Sequence, residues 1–153
     1  MRVTLRKASI SDSVFILRAR NDKASRQNSV NHQKIEFIEH SRWIRKALEK
    51  KQQTVFLIIE SGNGSVGYVR INKSKSSISQ EISISINPVN RGLGICGEVL
   101  FLLGLEYWRL GEIVVANVWS RNKSSLKCFL RAGFRVTRVS RGFVELRLLP
   151  TPP

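Results

Sequence analysis

The chain reads Ile86-Asn87-Pro88-Val89-Asn90-Arg91-Gly92-Leu93-Gly94 where a predicted strand is joined to a predicted long helix through a glycine-rich turn. Pro88 stops the apolar strand before it, since proline cannot donate to a strand ladder. Residues 92–110 then carry apolar side chains at helical spacing, which predicts a long helix. The glycines let the backbone approach a ligand, and the first amides of the helix lack intrahelical partners. The turn therefore predicts an anion site suited to a pyrophosphate.

Outward from this turn, the chain predicts one α+β domain. The order of elements gives a central, mostly antiparallel mixed sheet of about seven strands flanked by about four helices. Hairpin turns are predicted at residues 61–64 and near 75–77, and a polar loop over 21–33. The domain is predicted over residues 1–149, with a frayed tail at 150–153. Strands are predicted over 2–7, 54–60, 66–73, 78–86, 113–119, 134–139 and 143–149, and helices over 14–20, 36–50, 92–110 and 122–131.

Positive charge dominates the composition. The 153 residues include 26 Lys and Arg against 11 Asp and Glu, a formal net charge of +15. Such an excess favours polyanionic partners, either nucleic acid, an anionic membrane or a ligand with several phosphates. The basic residues are scattered without a block of five like charges, so a solvated basic surface explains them equally well. The tryptophans and phenylalanines stand mostly at apolar-periodic positions, which predicts a core and argues against a nucleic-acid stacking platform.

The cysteines and the N-terminus indicate a reducing compartment. Cys96 and Cys128 are too few for a disulfide framework or a metal-ligand cluster, so free thiols and no metal are expected. Charges at Arg2, Arg6 and Lys7 replace the apolar stretch of a signal peptide, and no apolar run is long enough to span a bilayer. We therefore expect a cytoplasmic protein without a membrane partner. The sequence leaves the oligomeric state open, a homodimer included.

Two motifs resemble those of the GNAT superfamily of acetyltransferases. Residues 86–94 are similar to the family's coenzyme A pyrophosphate signature, Val-x-Pro-x-x-Arg-Gly-x-Gly. One strand later, residues 122–134 resemble the motif Asn-x-x-Ser-x-x-x-Tyr-x-x-x-Gly-Phe. The resemblance runs from Leu5 to about Leu148 and implies an N-acetyltransferase that uses acetyl-coenzyme A, without a metal. It implies cofactor-binding roles for Ile84, Ser85, Ile86, Arg91, Gly92, Leu93, Gly94, Ile95, Cys96, Gly97, Asn122, Ser125 and Phe129.

The chain departs from the family pattern at two of these positions. Cys96 stands where Gly or Ala is usual, and it is small enough for cofactor binding to survive. Phe129 stands where many relatives carry a Tyr that protonates the departing thiolate. Phenylalanine has no such proton, so either another acid or solvent must reprotonate coenzyme A.

The acceptor is suggested by a narrower resemblance. Arg20-Asn21-Asp22 with Arg26, Ser29 and the pair His40/Trp43 looks like the opening of nucleotide-sugar N-acetyltransferases of pseudaminic-acid-type pathways, and residues 81–86 are similar too. That family acetylates the 4-amino group of a uridine-diphosphate-linked aminodeoxysugar, which implies substrate-binding roles for Arg20, Asn21 and Arg26. A small phosphate-bearing amine is thus the expected substrate. A ribosomal-type protein N-terminus, another small amine and a non-enzymatic basic nucleic-acid-binding module remain alternatives.

Acetyl transfer requires a neutral amine. A sugar amine should titrate near or below an α-amino group, at about 8, whereas a lysine titrates near 10.4, so a modest base suffices for the sugar. Glu81, at the start of the strand that leads to the glycine turn, is the first candidate, and several GNAT enzymes use a carboxylate on this strand. His40 is the second, with a pKa suited to proton transfer. A solvated glutamate and a histidine packed beside Trp43 are the competing interpretations.

Overall fold

The chain folds around a single sheet with helices on both faces. A computed structural model describes residues 2–49, 53–62, 64–74 and 78–150. Strands of the described part are β1 Val3–Lys7, β2 Thr54–Ser61, β3 Gly64–Lys73, β4 Ser79–Ile86, β5 Ile113–Trp119, β6 Arg135–Ser140 and β7 Phe143–Leu148. Its helices are α1 Ser13–Asn21, α2 Lys23–Gln27, α3 Phe37–Glu49, α4 Ile95–Arg109 and α5 Lys123–Arg131, with 3₁₀ turns at Ile10–Asp12 and Pro88–Asn90.

The sheet confirms the predicted fold class. Its order is β1-β2-β3-β4-β5-β7-β6. Among the described strands, β4 and β5 form the one parallel pair, joined by α4 as a crossover helix, and the other neighbours are antiparallel. None of the described helices is both long enough and apolar enough to cross a membrane.

The parallel pair separates soon after it begins. β4 and β5 are in register only where Ser79, Gln80 and Glu81 face Ile113, Val114 and Val115. Beyond Glu81 the two strands no longer pair, so the β5-facing backbone of residues 82–86 has no strand partner from β5. This separation opens the sheet at its centre and creates a cleft.

The two faces of the sheet carry different side chains next to this cleft. In the β3–β4 register, Tyr68 lies opposite Ser85 and Arg70 opposite Ser83, which puts these four side chains on one face. We call it the acceptor face. It is covered by α1 and α3, whose Ile16 and Ile44 pack in one core cluster with Tyr68. The opposite face holds the larger core, built by α4 and α5.

Gly67 lets β3 approach β4 beside the cleft. A Cβ built on Gly67 would overlap the backbone oxygen of Ser85. Gly67→Ala should therefore destabilise the fold by about 1–3 kcal/mol, because backbone has to shift to make room. Gly64→Ala in the same strand is the matched control, since nothing lies within 4 Å of its Cβ position. Urea unfolding measures both, and equal stabilities for the two variants would contradict this packing.

Some local predictions were wrong. Residues 21–33 are not entirely a loop, because Asp22 caps the short helix α2 through a 3.1 Å bond from the Ser25 amide. Among the aromatic residues that the periodicity predicts in the core, Phe37 is 56% exposed, and Trp43 and Trp108 are 39% and 38% exposed. The predicted turn at 75–77 and the tail at 151–153 lie outside the described residues, so the domain boundary at 149 stays a prediction.

Candidate functional site

The separation of β4 and β5 produces a cleft of about 1140 Å³. Its walls come from β4, β5, the glycine turn, the start of α4, α5 and the segment after α1. Most residues with a predicted role line it: Arg20, Glu81, Ile84, Ser85, Ile86, Arg91, Gly92, Gly94, Ile95, Cys96, Gly97, Asn122, Ser125 and Phe129. The lining does not include Leu93, His40, Asn21 or Arg26.

The glycine turn has the backbone conformation that its sequence predicts. Gly92 and Gly94 have φ angles of 78° and 80°, in the left-handed region where a Cβ is unfavourable. Gly94 is the N-cap of α4, so the free amides of the first helical turn begin beside the cleft. The local geometry fits an anion such as a pyrophosphate.

Arg91 ties this turn to α2. Its Nε donates to the Ile86 carbonyl at 2.9 Å, and its Nη2 donates to the Asp22 carboxylate at 2.7 Å. Burial alone would raise the pKa of Asp22, but the hydrogen bonds from Arg91 and from the Ser25 amide outweigh it and lower that pKa. Arg91 therefore has more than the cofactor role that the resemblance implies. It also fixes the position of the segment that follows α1.

The second motif begins at the start of α5. The Asn122 side chain accepts a bond from the Ser125 amide at 3.3 Å, so it caps the helix. Phe129 is 3% exposed and packs edge-to-face on Phe134, with ring centroids 5.0 Å apart. The ring fills the wall of the cleft and has no proton to donate.

Two of the three predicted substrate residues hold the chain instead of facing the cleft. The Asn21 amide exchanges two 2.8 Å hydrogen bonds with the backbone of Ile35. Arg26 donates to the carbonyls of Asn21 and His32, both at 3.2 Å. These contacts clamp the segment between α2 and α3. Of the three, Arg20 alone lines the cleft.

His40 does not reach the cleft. It is 1% exposed, its Nε2 lies 2.9 Å from the Ser13 carbonyl, and its ring centroid lies 5.8 Å from that of Trp43. Burial lowers the pKa of His40, which favours a neutral ring whose Nε2–H donates to Ser13. This placement supports the interpretation of a packed histidine and not that of a base, because the ring is buried and does not line the cleft.

Glu81 occupies the point where β4 and β5 separate. It is the last β4 residue in register with β5, it is exposed, and it lines the cleft. Its carboxylate is in none of the ion pairs found among the described residues. The structure therefore leaves this group available for proton transfer.

The cleft is strongly cationic. Among the described residues that line it, five are basic and one, Glu81, is acidic; the basic ones are Arg20, Arg70, Arg91, Lys127 and Arg131. Such a cleft concentrates anions. Tyr68 and Arg70 line the cleft without a role predicted from the sequence, although polar side chains two residues apart in an apolar strand are a usable signal.

The two cysteines lie together in the wall of the cleft. The Cys96 and Cys128 thiols are hydrogen-bonded to each other, and both are free. That bond and burial raise the pKa of Cys96, whereas the bond from Cys96 and the nearby Arg131 lower the pKa of Cys128. No group of three or more metal-ligating side chains occurs in the part of the chain that the structure describes.

The alkylation order of the two thiols follows from these pKa directions. The thiolate is the reactive form, so Cys128 should be alkylated by iodoacetamide at a lower pH and faster than Cys96. Because both thiols line the cleft, acetyl-coenzyme A should slow the reaction. Peptide mass mapping across pH 6 to 9, with Cys128→Ser as control, measures the order. Faster labelling of Cys96 would contradict the assignment.

Comparison with known proteins gives both sequence and structural matches. The family model described as acetyltransferase (GNAT) domain matches residues 2–135. No curated protein sequence matches the chain significantly. The fold is similar to that of yncA from Salmonella typhimurium, a putative acetyltransferase with its cofactor acetyl-CoA, at 21% identity and a TM-score of 0.74 over 97% of this chain and 94% of that one.

Two further structures share the fold. One is spermidine N-acetyltransferase from Vibrio cholerae in complex with CoA and spermine, at 17% identity and a TM-score of 0.84 over 97% of this chain and 95% of that one. The other is RimL, a ribosomal L7/L12 alpha-N-protein acetyltransferase in complex with coenzyme A, at 18% identity and a TM-score of 0.82 over 96% and 93%. At these identities the likeness establishes the fold and leaves the acceptor open.

Proposed function

The chain belongs to the family of GNAT acetyltransferase domains, and we propose that the amine it acetylates is that of a nucleotide-linked aminodeoxysugar. Membership makes it an acetyl-coenzyme A-dependent N-acetyltransferase. The observation that supports this acceptor is the cationic cleft, with five basic side chains and one carboxylate among its described lining residues. We place the reaction in the cytoplasm, where acetyl-coenzyme A is available, and the homodimer stays a prediction.

The cleft fits two polar parts of acetyl-coenzyme A, its pyrophosphate and its pantetheine arm. The left-handed glycines and the first amides of α4 suit the pyrophosphate, with Lys127 and Arg131 nearby for further phosphate. The β5-facing backbone of Ile84 and Ile86, which lacks a strand partner from β5, suits the amides of the pantetheine arm. A backbone N–H there would also polarise the thioester carbonyl. Leu93 stands between these glycines with its side chain 55% exposed, and its cofactor role stays a prediction.

The chain's own residues supply the proton transfer. The neutral amine attacks the thioester carbon, the carbon–sulfur bond breaks, and the amine proton passes to Glu81 directly or through one water. Since Phe129 cannot donate a proton, we assign reprotonation of the departing thiolate to solvent. Acetyl-coenzyme A and the amine thus give coenzyme A and an acetamide.

The cationic lining distinguishes the candidate acceptors. A polyamine would bring several positive charges next to those of Arg20 and Arg70, and these like charges would repel one another. A nucleotide sugar brings a diphosphate, which arginine binds through its planar fork better than a lysine does. We therefore rank the sugar nucleotide first and keep a protein N-terminus as the alternative acceptor.

A thiol-release assay tests the acceptor. Acetyl-coenzyme A is combined with uridine-diphosphate-linked aminosugars, peptides with free N-termini, and polyamines. The highest kcat/KM is expected with an aminosugar whose amine lies on the 4-position. Turnover with peptides alone would replace the sugar by a protein N-terminus. Binding of RNA without turnover of any amine would favour the nucleic-acid-binding alternative.

A further inference from the structure

We propose that Arg70, Tyr68 and Ser85 form an anion-binding subsite on the acceptor face, which selects an amine carrying a phosphate group. This inference rests on the proposed acetyl transfer and names the residues that would choose its acceptor. It concerns the face opposite to the one on which α4 packs, so it is separate from the anion site at the glycine turn.

The register of the sheet brings the three side chains together. Tyr68 and Arg70 alternate along β3, and their partners Ser85 and Ser83 alternate along β4. Side chains directly opposite on neighbouring strands lie within about 4.5–5.5 Å at their Cβ atoms. All four point to the acceptor face, and all four line the cleft. A ligand in the cleft can therefore reach them together.

Two polar atoms of this group are buried without a partner. Arg70 Nε and Ser85 Oγ have almost no exposed surface and make no hydrogen bond. Arg70 is also absent from the ion pairs that join described residues. A buried guanidinium N–H or hydroxyl left unpaired costs free energy, and native structures satisfy nearly all such groups. A phosphate oxygen would accept from both donors.

Tyr68 links this pair to Arg20. The Tyr68 side chain is 8% exposed, and Arg20 donates a hydrogen bond to its phenol oxygen. Burial raises the pKa of the Tyr68 phenol, so it keeps its proton at neutral pH. With its oxygen accepting from Arg20, the phenol O–H is directed to a further acceptor. A phosphate beside Arg70 would provide one.

The distance from the subsite to Glu81 limits the shape of the acceptor. Arg70 lies opposite Ser83, two residues along β4 from Glu81 and on the same face. Two strand residues span about 7 Å, which is about the length of one sugar ring. When the substrate amine lies at Glu81, the phosphate of the same substrate would lie at Arg70. A sugar with an amine across the ring from its phosphate meets this requirement, and a linear polycation does not.

Binding of inorganic pyrophosphate to the coenzyme A-saturated protein tests the subsite. Saturation with coenzyme A fills the anion site at the glycine turn, so calorimetry then measures pyrophosphate binding at a second site. Arg70→Gln should weaken pyrophosphate at least about tenfold, since hydrogen bonds to charged groups are the stronger ones. Arg138→Gln, an exposed strand arginine outside the cleft lining, is the matched control and should bind as wild type does. Affinity for coenzyme A should be unchanged in both.

A second variant and a kinetic measurement separate binding from folding. Ser85→Ala removes one donor and should weaken pyrophosphate by a smaller factor, even if Arg70→Gln fails to fold. In the thiol-release assay, Arg70→Gln should raise KM for a phosphate-bearing acceptor and leave KM for acetyl-coenzyme A unchanged. Arg70→Lys should restore part of the loss.

The outcomes distinguish this inference from the proposed function. If Arg70→Gln and Ser85→Ala both keep the pyrophosphate affinity and the acceptor KM of the wild type, the subsite is overturned while sugar acetylation stays intact. Loss of pyrophosphate binding in Arg70→Gln, together with no turnover of any nucleotide sugar, would support the subsite and reject the sugar. If a carboxylate-bearing amine is turned over and its KM depends on Arg70 in the same way, the subsite selects a carboxylate and not a phosphate. That result would contradict the proposal.

Discussion

Gly94→Asp should abolish acetyl-coenzyme A binding while the protein stays folded. Gly94 has φ of 80° and stands at the N-cap of α4, in the cleft lining. Aspartate there would place a carboxylate next to the bound pyrophosphate. The repulsion between these two anions in the partly enclosed site should outweigh any favourable contact that the new side chain makes. Calorimetry should detect no binding at concentrations that saturate the wild type.

A second glycine provides the control for backbone strain. Gly111 also has a left-handed φ, of 68°, and lies after α4 outside the cleft lining. Gly111→Asp imposes the same strain beyond the other end of α4, away from the cofactor turn, and it should bind acetyl-coenzyme A normally. Wild-type affinity in Gly94→Asp would remove the glycine turn from the cofactor site.

Glu81→Gln should lower kcat at neutral pH by about a hundredfold or more, which is the range of a general base. Glutamine keeps the shape of the side chain and cannot accept the amine proton. Acetyl-coenzyme A affinity should not change, because Glu81 lies at the strand separation and not at the glycine turn. Activity should recover partly as pH rises, since a larger fraction of the acceptor amine is then neutral. Steady-state kinetics from pH 6 to 9 measures the recovery.

Glu106→Gln is the matched control for this substitution. Glu106 is exposed on α4 and does not line the cleft, so its variant should follow the wild-type pH profile. A Glu81→Gln profile identical to the wild type would assign the proton to water alone, because His40 is buried away from the cleft.

The sequence predicts the fold well where the signal is local. The strand 113–119 and the turn at 91–94 depend on patterns confined to a few residues, namely alternation, proline and glycine. Both appear in the structure as expected. The short helix α2 has no apolar period, because four of its five residues are polar, and its start depends on the cap that Asp22 provides.

Side-chain roles are predicted less well, because they depend on contacts between distant parts of the chain. Asp22 has Arg20 and Arg26 close by in sequence, yet it pairs with Arg91, 69 residues away. Asn21 and Arg26 resemble substrate residues in sequence but donate to backbone carbonyls of the following segment, those of Ile35 and His32. The direction of a side chain at the end of a helix depends on the neighbouring chain, which no local pattern specifies.

The most direct test of the account follows both products of one reaction. Wild-type protein is incubated with acetyl-coenzyme A and a uridine-diphosphate-linked 4-amino sugar, and the released thiol is measured beside the mass of the sugar nucleotide. We predict one N-acetyl group on the sugar for each thiol released, with both products formed about a hundredfold more slowly at neutral pH in Glu81→Gln. Thiol release without an acetylated sugar, or acetylation of peptide N-termini alone, would contradict the proposed acceptor.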